Sequence, residues 1–404
     1  MQKEKVLVPE LRYPEFEGDW ESKEFKEVVK INQGLQIAIA DRLLEPKNGA
    51  LFYITNEFLN PKSDKRFYIE NATNSVICDE DDILMTRTGN TGKVVTNVSG
   101  AFHNNFFRIA YPTTIKKEYL YNFLILPKTQ NFIQRLAGTS TIPDLNHSDF
   151  YKIKFNYPPL KEQQKIANFL TSIDTQIQTL EKKKSLLEQY KKGVMQKRSK
   201  QELRAKEEDG KAFPEWEEKM LGEVFEEIKN KVGKQNIETY SISAGKGFIS
   251  QKEKFGKDIS GKQNEKYIIV EENQFSYNKG NSKTYKYGCI YLNRTGENIA
   301  VPNVFISFKK RLNNINEGFY EHYFIGHNLD RDLRKMISSS ARMDGLLNIS
   351  KQNFFNIIIP MPSLKEQIKI ANFLSAIDKN ITLVNTKIEH TKSYKKGLLQ
   401  QMFV

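Results

Sequence analysis

The chain has 404 residues, 39% of them hydrophobic, with a formal net charge of +13. That is enough for two or three packed domains, and no apolar run is long enough to span a membrane. The start, Met1-Gln2-Lys3-Glu4-Lys5, is not a signal peptide, and two isolated cysteines, Cys78 and Cys289, make neither a disulfide framework nor a metal knuckle. A reducing cytoplasm and a polyanionic partner, nucleic acid first, are the expectations, although many lysines also serve as solvated helix flanks.

In chain order, Glu10-Leu11-Arg12, Pro14 and Trp20 lead into a first block. Its acidic run, Asp79-Glu80-Asp81-Asp82, reads as a solvated turn before a strand rather than a metal site. Asp82 to Thr86 and Val94-Val95 read as two strands joined by a loop, Arg87-Thr88-Gly89-Asn90-Thr91-Gly92-Lys93. A helix is expected over Glu118 to Leu136, interrupted near Pro127. Pro158 to Gln196 reads as one long helix. The charged segment Lys197 to Gly210 is a linker, and Phe213-Pro214-Glu215-Trp216 opens a second block. There, strands are expected at 273–277 and 288–292, around the loop Asn278-Lys279-Gly280-Asn281-Ser282-Lys283. A helix from Glu317 to Ile337 and a strand at 357–359 precede a second long helix from Pro362. Each block therefore reads as mixed α+β.

The two long helices are copies of each other. Without a gap, about 20 of roughly 39 aligned positions are identical, far beyond chance. Leu160-Lys161-Glu162-Gln163 returns as Leu364-Lys365-Glu366-Gln367, and Tyr190-Lys191-Lys192-Gly193 as Tyr394-Lys395-Lys396-Gly397. Apolar residues follow steps of four and three, the seam of a coiled coil, through Ile173, Ile177 and Leu180 and again through Ile377, Ile381 and Val384. Lys184, Lys191, Thr391 and Lys395 interrupt that seam. Each helix opens with proline near its first turn and a glutamate just inside, where the acid meets the positive helix end. The helices are expected to pair antiparallel; the alternative is that each covers its own globular domain. The repeat also reaches outward, since Glu10-Leu11-Arg12 returns as Glu202-Leu203-Arg204.

Catalytic signatures fail on inspection. Gly256 to Lys262 has the spacing of a phosphate-binding loop, but Gln263 stands where a hydroxyl should hold Mg²⁺ and no buried strand precedes it. Asn156-Tyr157-Pro158-Pro159 holds the residues of an amino-methyltransferase motif in the wrong order. His103, His147, His322, His327 and His390 lack metalloenzyme spacing. Recognition chemistry remains. Arg87, Thr88, Asn90, Thr91 and Lys93 crowd one loop; arginine and asparagine bond base edges, and lysine and threonine hold phosphates. Asn278, Lys279, Asn281, Ser282 and Lys283 form a comparable set in the second block. The same residue types also build ordinary turns.

The proline-led runs at Leu160 to Asp174 and Leu364 to Asp378 resemble the conserved region of type I restriction–modification specificity subunits. Asp82 to Met85 with Arg87, Thr88 and Gly89 resembles a strand and loop of their target recognition domains; the second loop lacks the Arg-Thr-Gly pattern. Tyr13-Pro14-Glu15-Phe16 and Phe213 to Trp216 resemble the lead-ins of those domains. The resemblance implies an α+β chain with an internal twofold repeat: a first target recognition domain over 1–157, a conserved helix over 158–198, a linker and second recognition domain over 199–361, and a second helix over 362–404. Each domain would read half of a bipartite double-stranded DNA site, held apart by the antiparallel coiled coil. Two methyltransferase subunits would dock on the helices, with Phe169, Phe373, Tyr190 and Tyr394 available to them. Restriction subunits would join for translocation and cleavage. The chain itself would hold no cofactor; S-adenosylmethionine, ATP and Mg would serve the partners.

About 38 helical residues span roughly 55–60 Å, enough to address half-sites one DNA turn apart. Two other classes fit the residues less fully. One is a stand-alone DNA-binding architectural protein with a self-associating coiled coil. The other is an enzyme whose active site follows no known pattern.

Overall fold

The structure is a computed structural model that describes residues 7–199, 201–256, 261–280, 285–336 and 347–404. It comprises two compact units, residues 1–181 with 386–404, and residues 182–385. In the first unit the order is β1 (Glu21–Glu24), α1 (Phe25–Val28), β2 (Lys30–Gln33), β3 (Leu51–Ile54), β4 (Phe67–Ile69), β5 (Ile77–Cys78), β6 (Ile83–Thr86), β7 (Val94–Val95), β8 (Gly100–Phe102), β9 (Phe106–Ala110), α2 (Lys117–Ile125), α3 (Pro127–Ala137), α4 (His147–Tyr151) and β10 (Lys154–Tyr157). The long helix α5 (Leu160–Ser199) follows and contributes to both units.

The second unit contains β11 (Glu217–Met220), α6 (Leu221–Val224), β12 (Phe225–Glu227), β13 (Tyr240–Ser243), β14 (Gly247–Ser250), α7 (Gln251–Phe255), β15 (Ile268–Val270), β16 (Phe275–Asn278), β17 (Cys289–Leu292), β18 (Ile299–Val301), β19 (Ile306–Lys310), α8 (Glu317–Ile325), α9 (Asp330–Met336), α10 (Lys351–Phe355) and β20 (Ile358–Met361). The second long helix, α11 (Leu364–Gln401), begins in this unit and ends in the first.

One sheet is duplicated and the other is not. The order β2-β9-β6-β7 in the first unit returns as β12-β19-β16-β17 in the second, and the two-stranded ribbon β1-β10 returns as β11-β20. The smaller sheet differs: β4-β3-β8-β5 in one unit, the separate pairs β13-β14 and β15-β18 in the other. All four residues of β6 are buried. Ile83 and Met85 join the main core with α2 and α3, while Leu84 joins a second cluster under the small sheet. Coverage on both faces explains why this strand reads as an unbroken apolar run. The helix expected over Glu317 to Ile337 is divided into α8 and α9. Gly326 and His327 intervene, with His327 at φ +60°, where an α-helix cannot continue. Ile337 lies outside the described residues.

The long helices do both things that their apolar seam allows. Ile166, Leu170, Ile173 and Ile177 of α5 enter the first unit's core together with Leu398, Leu399, Met402 and Phe403 of the far end of α11. Val194 of α5 enters the second unit's core with Ile370, Leu374 and Ile377 of α11, and Ile381 packs against it. In each unit the helices run in opposite directions. Asp174 meets Lys395 and Glu181 meets Lys392 in one; Lys184 meets Asn385 and Lys191 meets Asp378 in the other. The two isoleucine pairs therefore lie in separate clusters, each facing the opposite end of the partner helix. Leu180 is half-buried and Val384 buried on the same seam.

Candidate nucleic-acid interface

The repeated Glu-Gln at each helix start is a buried polar joint. The Glu162 carboxylate is fully buried and accepts from Arg12 Nε at 2.9 Å and Nη2 at 2.8 Å. This bond, with the opposite charge beside it, raises the Arg12 pKa against the burial that lowers it. Glu366, equally buried, accepts from Arg204 at 3.1 Å and from the Trp216 indole at 2.9 Å. Each glutamate lies in the first turn of its helix, as expected, and is also the partner of a largely buried arginine. Gln163 accepts from the Lys116 amide and donates to the Thr114 and Pro158 carbonyls; Gln367 does the same with Asn316, Asn314 and Pro362. The motif thus welds the lead-in, the turn before the block's first long helix and the start of the coiled coil into one piece. The reappearance of Arg12 as Arg204 was the available signal, but a contact spanning about 150 residues has no local pattern.

On this frame the loop 87–93 has a defined shape. Arg87 donates from Nη2 to Asp144 at 2.7 Å, lies 5.5 Å from the Phe107 ring centre, and its side chain is 18% exposed. Thr88 donates to the same carboxylate. Thr91 is buried and donates to the Arg87 and Pro143 carbonyls at 3.0 and 2.7 Å. Asn90 adopts φ +51° and is exposed, as is Lys93. Gly92 has φ +86°, and a Cβ there would lie 2.8 Å from Gln130 Oε1, whose amide holds the Gly92 carbonyl. The structure thus divides the five residues of this loop. Arg87, Thr88 and Thr91 brace it against 143–145, and Asn90 and Lys93 point to solvent. Asp144, which sequence reasoning missed, is the organising partner.

In the second unit Asn278 ends β16 and donates to the Ile242 carbonyl at 3.2 Å while accepting from the Gly280 amide at 2.9 Å. The Lys279 carbonyl accepts from Leu347. Asn281, Ser282 and Lys283 lie outside the described residues, as do residues 257–260 of the phosphate-loop look-alike. On the helices, Tyr190 and Tyr394 are strongly exposed and Phe373 is 37% exposed. Phe373 meets the Tyr190 ring at 6.5 Å and the Arg198 guanidinium at 5.4 Å. Phe169 is half-buried, with Tyr13 edge-on at 6.4 Å.

The acidic run 79–82 closes on itself as a turn: Asp82 accepts from the Asp79 amide and Asp79 from the Asp81 amide. Among the described residues no cluster of His, Cys, Asp and Glu could hold a metal, and no helix is long and apolar enough to cross a membrane. Burial pushes the Cys78 thiol up to about 12 and that of Cys289 up to about 11, opposite to what a thiolate nucleophile needs.

A family model described as the type I restriction modification DNA specificity domain matches residues 17–189 and 214–392. The chain is 24% identical over 415 aligned residues to the type I restriction enzyme MjaVIII specificity subunit of Methanocaldococcus jannaschii, covering 96% of this chain and 92% of that one. It is 27% identical to the MjaIX specificity subunit of the same organism, over 70% of this chain and 68% of that one. Its fold is similar to that of the type I system S subunit from M. genitalium, with TM-score 0.58 and 16% identity over 98% of this chain and 99% of that one. A chain from a structural study of complex assembly and conformational transition in a type I system is also similar, with TM-score 0.51 and 14% identity over 95% and 97%. With two matched domains on a duplicated frame, this chain belongs to the type I restriction–modification specificity family, as a non-catalytic DNA specificity subunit with two target recognition domains.

Proposed function

We propose that each unit reads one half of a bipartite double-stranded DNA target, that the helix pair sets the spacer, and that the outer faces of α5 and α11 dock two methyltransferase subunits. The observation that carries this reading is the contrast between the sheets. The frame of β2-β9-β6-β7 and its polar joint is duplicated, while the small sheet beside it is not. A shared frame with divergent small sheets suits two readers of different sequences on one chassis.

The recognition modules are residues 1–157 and 199–361; the conserved helices are 158–198 and 362–404. In the first module Asn90 and Lys93 contact DNA while Arg87, Thr88 and Thr91 hold the loop. In the second, Asn278 and Lys279 frame the corresponding loop. Phe169, Phe373, Tyr190 and Tyr394 are the candidate docking residues. Duplicated docking sites favour two copies of one partner around a pseudo-twofold axis. Restriction subunits join the same assembly, and S-adenosylmethionine, ATP and Mg belong to the partners. Two free thiols, Cys78 buried and Cys289 partly so, suit a cytoplasmic setting.

Exchange of residues 17–157 for the same block of a relative with another target tests the division of labour. Methylated-base mapping in cells carrying the complete complex should then show one half-site replaced and the other kept. Two half-sites that both stay unchanged would refute it. Matched four-residue insertions in both helices add about 6 Å of helix. They should lengthen the spacer by about one or two base pairs, at roughly 3.4 Å each, with both half-sites intact.

A further inference from the structure

The segment that follows β2 in the first unit is pinned on both sides of one exposed residue. Before it, the Gly34 amide donates to the Phe106 carbonyl at 3.3 Å and the Leu35 amide to the Phe102 carbonyl at 3.1 Å. The backbone lies so close to the turn between β8 and β9 that a Cβ on Gly34 would sit 2.1 Å from the Phe102 oxygen and 2.4 Å from that of His103. After it, the Ile37 amide donates to the Tyr53 hydroxyl at 3.2 Å, and that hydroxyl donates to the Leu35 carbonyl at 2.8 Å. Gln36 stands between these anchors and is exposed.

Its side chain is also held. Asn104 Nδ2 donates to Gln36 Oε1 at 3.0 Å, while Gln33 Nε2 donates to the Asn104 carbonyl at 3.1 Å. The next residue of the same turn, Asn105, accepts from the Arg87 amide at 2.7 Å. The turn 103–105 therefore anchors two arms at once: the loop 87–93 and the segment 33–37. An exposed glutamine ordinarily samples many rotamers, and that freedom is lost on binding. Here one amide oxygen is fixed, its second lone pair is open, and its NH₂ can face a ligand.

We propose that Gln36 is a base-reading residue of the first recognition domain, presenting its fixed amide to a base edge in the major groove; this rests on that domain's reading of one half-site. An amide offers one donor beside one acceptor, the pattern that adenine N7 and N6 complement. Asn104 and Gly34 are positioning residues. Asn104 orients the amide, and Gly34 lets the backbone lie flush on the turn.

The test is competition binding and methylation by the complete complex on DNA variants that differ from the target at single base pairs. Gln36→Ala should lower discrimination about tenfold or more at one base pair of one half-site, with the other half-site unaffected. Asn104→Ala should lower discrimination at the same base pair by less, because Gln36 itself remains. Gln36 is exposed, so its variant should melt like the wild type; Gly34→Ala, which can disturb the sheet, is judged only beside such a melting curve. Discrimination unchanged at every position, or binding weakened equally for all variants, would overturn the assignment. If exchange of block 17–157 leaves both half-sites unchanged, the underlying division of labour fails. If the exchange replaces a half-site while Gln36→Ala changes nothing, only Gln36 fails.

Discussion

Lys191 places its ammonium 2.6 Å from both carboxylate oxygens of Asp378, and Lys395 repeats the arrangement with Asp174 at 2.6 and 2.7 Å. Each lysine occupies a seam position, and each aspartate lies about four turns into the other helix. The pairs are reciprocal because they are copies. Slippage of α5 along α11 would leave four charges without partners, so these polar seam residues specify register at some cost in stability.

Asp378→Ala should destabilise the second unit by about 1–2 kcal/mol, between the ranges for exposed and buried pairs, since Asp378 is 41% exposed and Lys191 only 16%. Lys191→Met in the same background should restore most of the loss. A double-mutant cycle by denaturant unfolding should give a coupling of about 1 kcal/mol. A coupling of zero would remove this pair from the account of register.

The buried joints should respond unequally. Arg12→Ala strands the Glu162 carboxylate and should cost about 3–5 kcal/mol. Arg204→Ala should cost less, because Trp216 still donates to Glu366. Hydrogen exchange at the first turns of α5 and α11 reads the two effects separately. Equal loss of protection at both would show that the indole contributes nothing.

In the recognition loop, Lys93→Ala should weaken binding to all sequences alike and reduce the salt slope by about one. Arg87→Ala and Asp144→Ala should resemble each other, because both break the brace between 87–88 and 144. A change of base preference in Arg87→Ala that Asp144→Ala does not share would assign Arg87 to DNA instead.

His322 gives the second unit a pH dependence. It is 6% exposed and its Nε2 meets Ser375 Oγ at 3.2 Å. Burial, then the Lys191 charge, lower its pKa to about 4, against the attraction of Asp378. An unfolded histidine titrates near 6.5. Between about 6.5 and 4 the unfolded chain therefore binds a proton that the folded chain refuses. The stability present above 6.5 is lost as pH falls through that window. Urea midpoints at pH 7.5 and 5.0 should drop more for the wild type than for His322→Gln. Equal drops would assign the dependence to other groups.

The repeat, the seam and the mixed α+β blocks are legible in the chain because each is a local or periodic property. Apolar steps of four and three need only neighbouring turns of one helix, and a duplicated Leu-Lys-Glu-Gln needs only comparison of the chain with itself. The sequence by itself thus determined two domains, two long helices and the family. The tertiary structure decided what the polar residues do. Glu162 finds Arg12, Arg87 finds Asp144, Gln36 finds Asn104, and of the lysines that interrupt the seam Lys191 and Lys395 find aspartates and Lys184 an asparagine on the opposite helix. Each partner is brought within reach only when sheets close and helices pair. Hydrogen bonds need contact distance and exposed charges are screened beyond about 10 Å, so no spacing along the chain could announce these contacts.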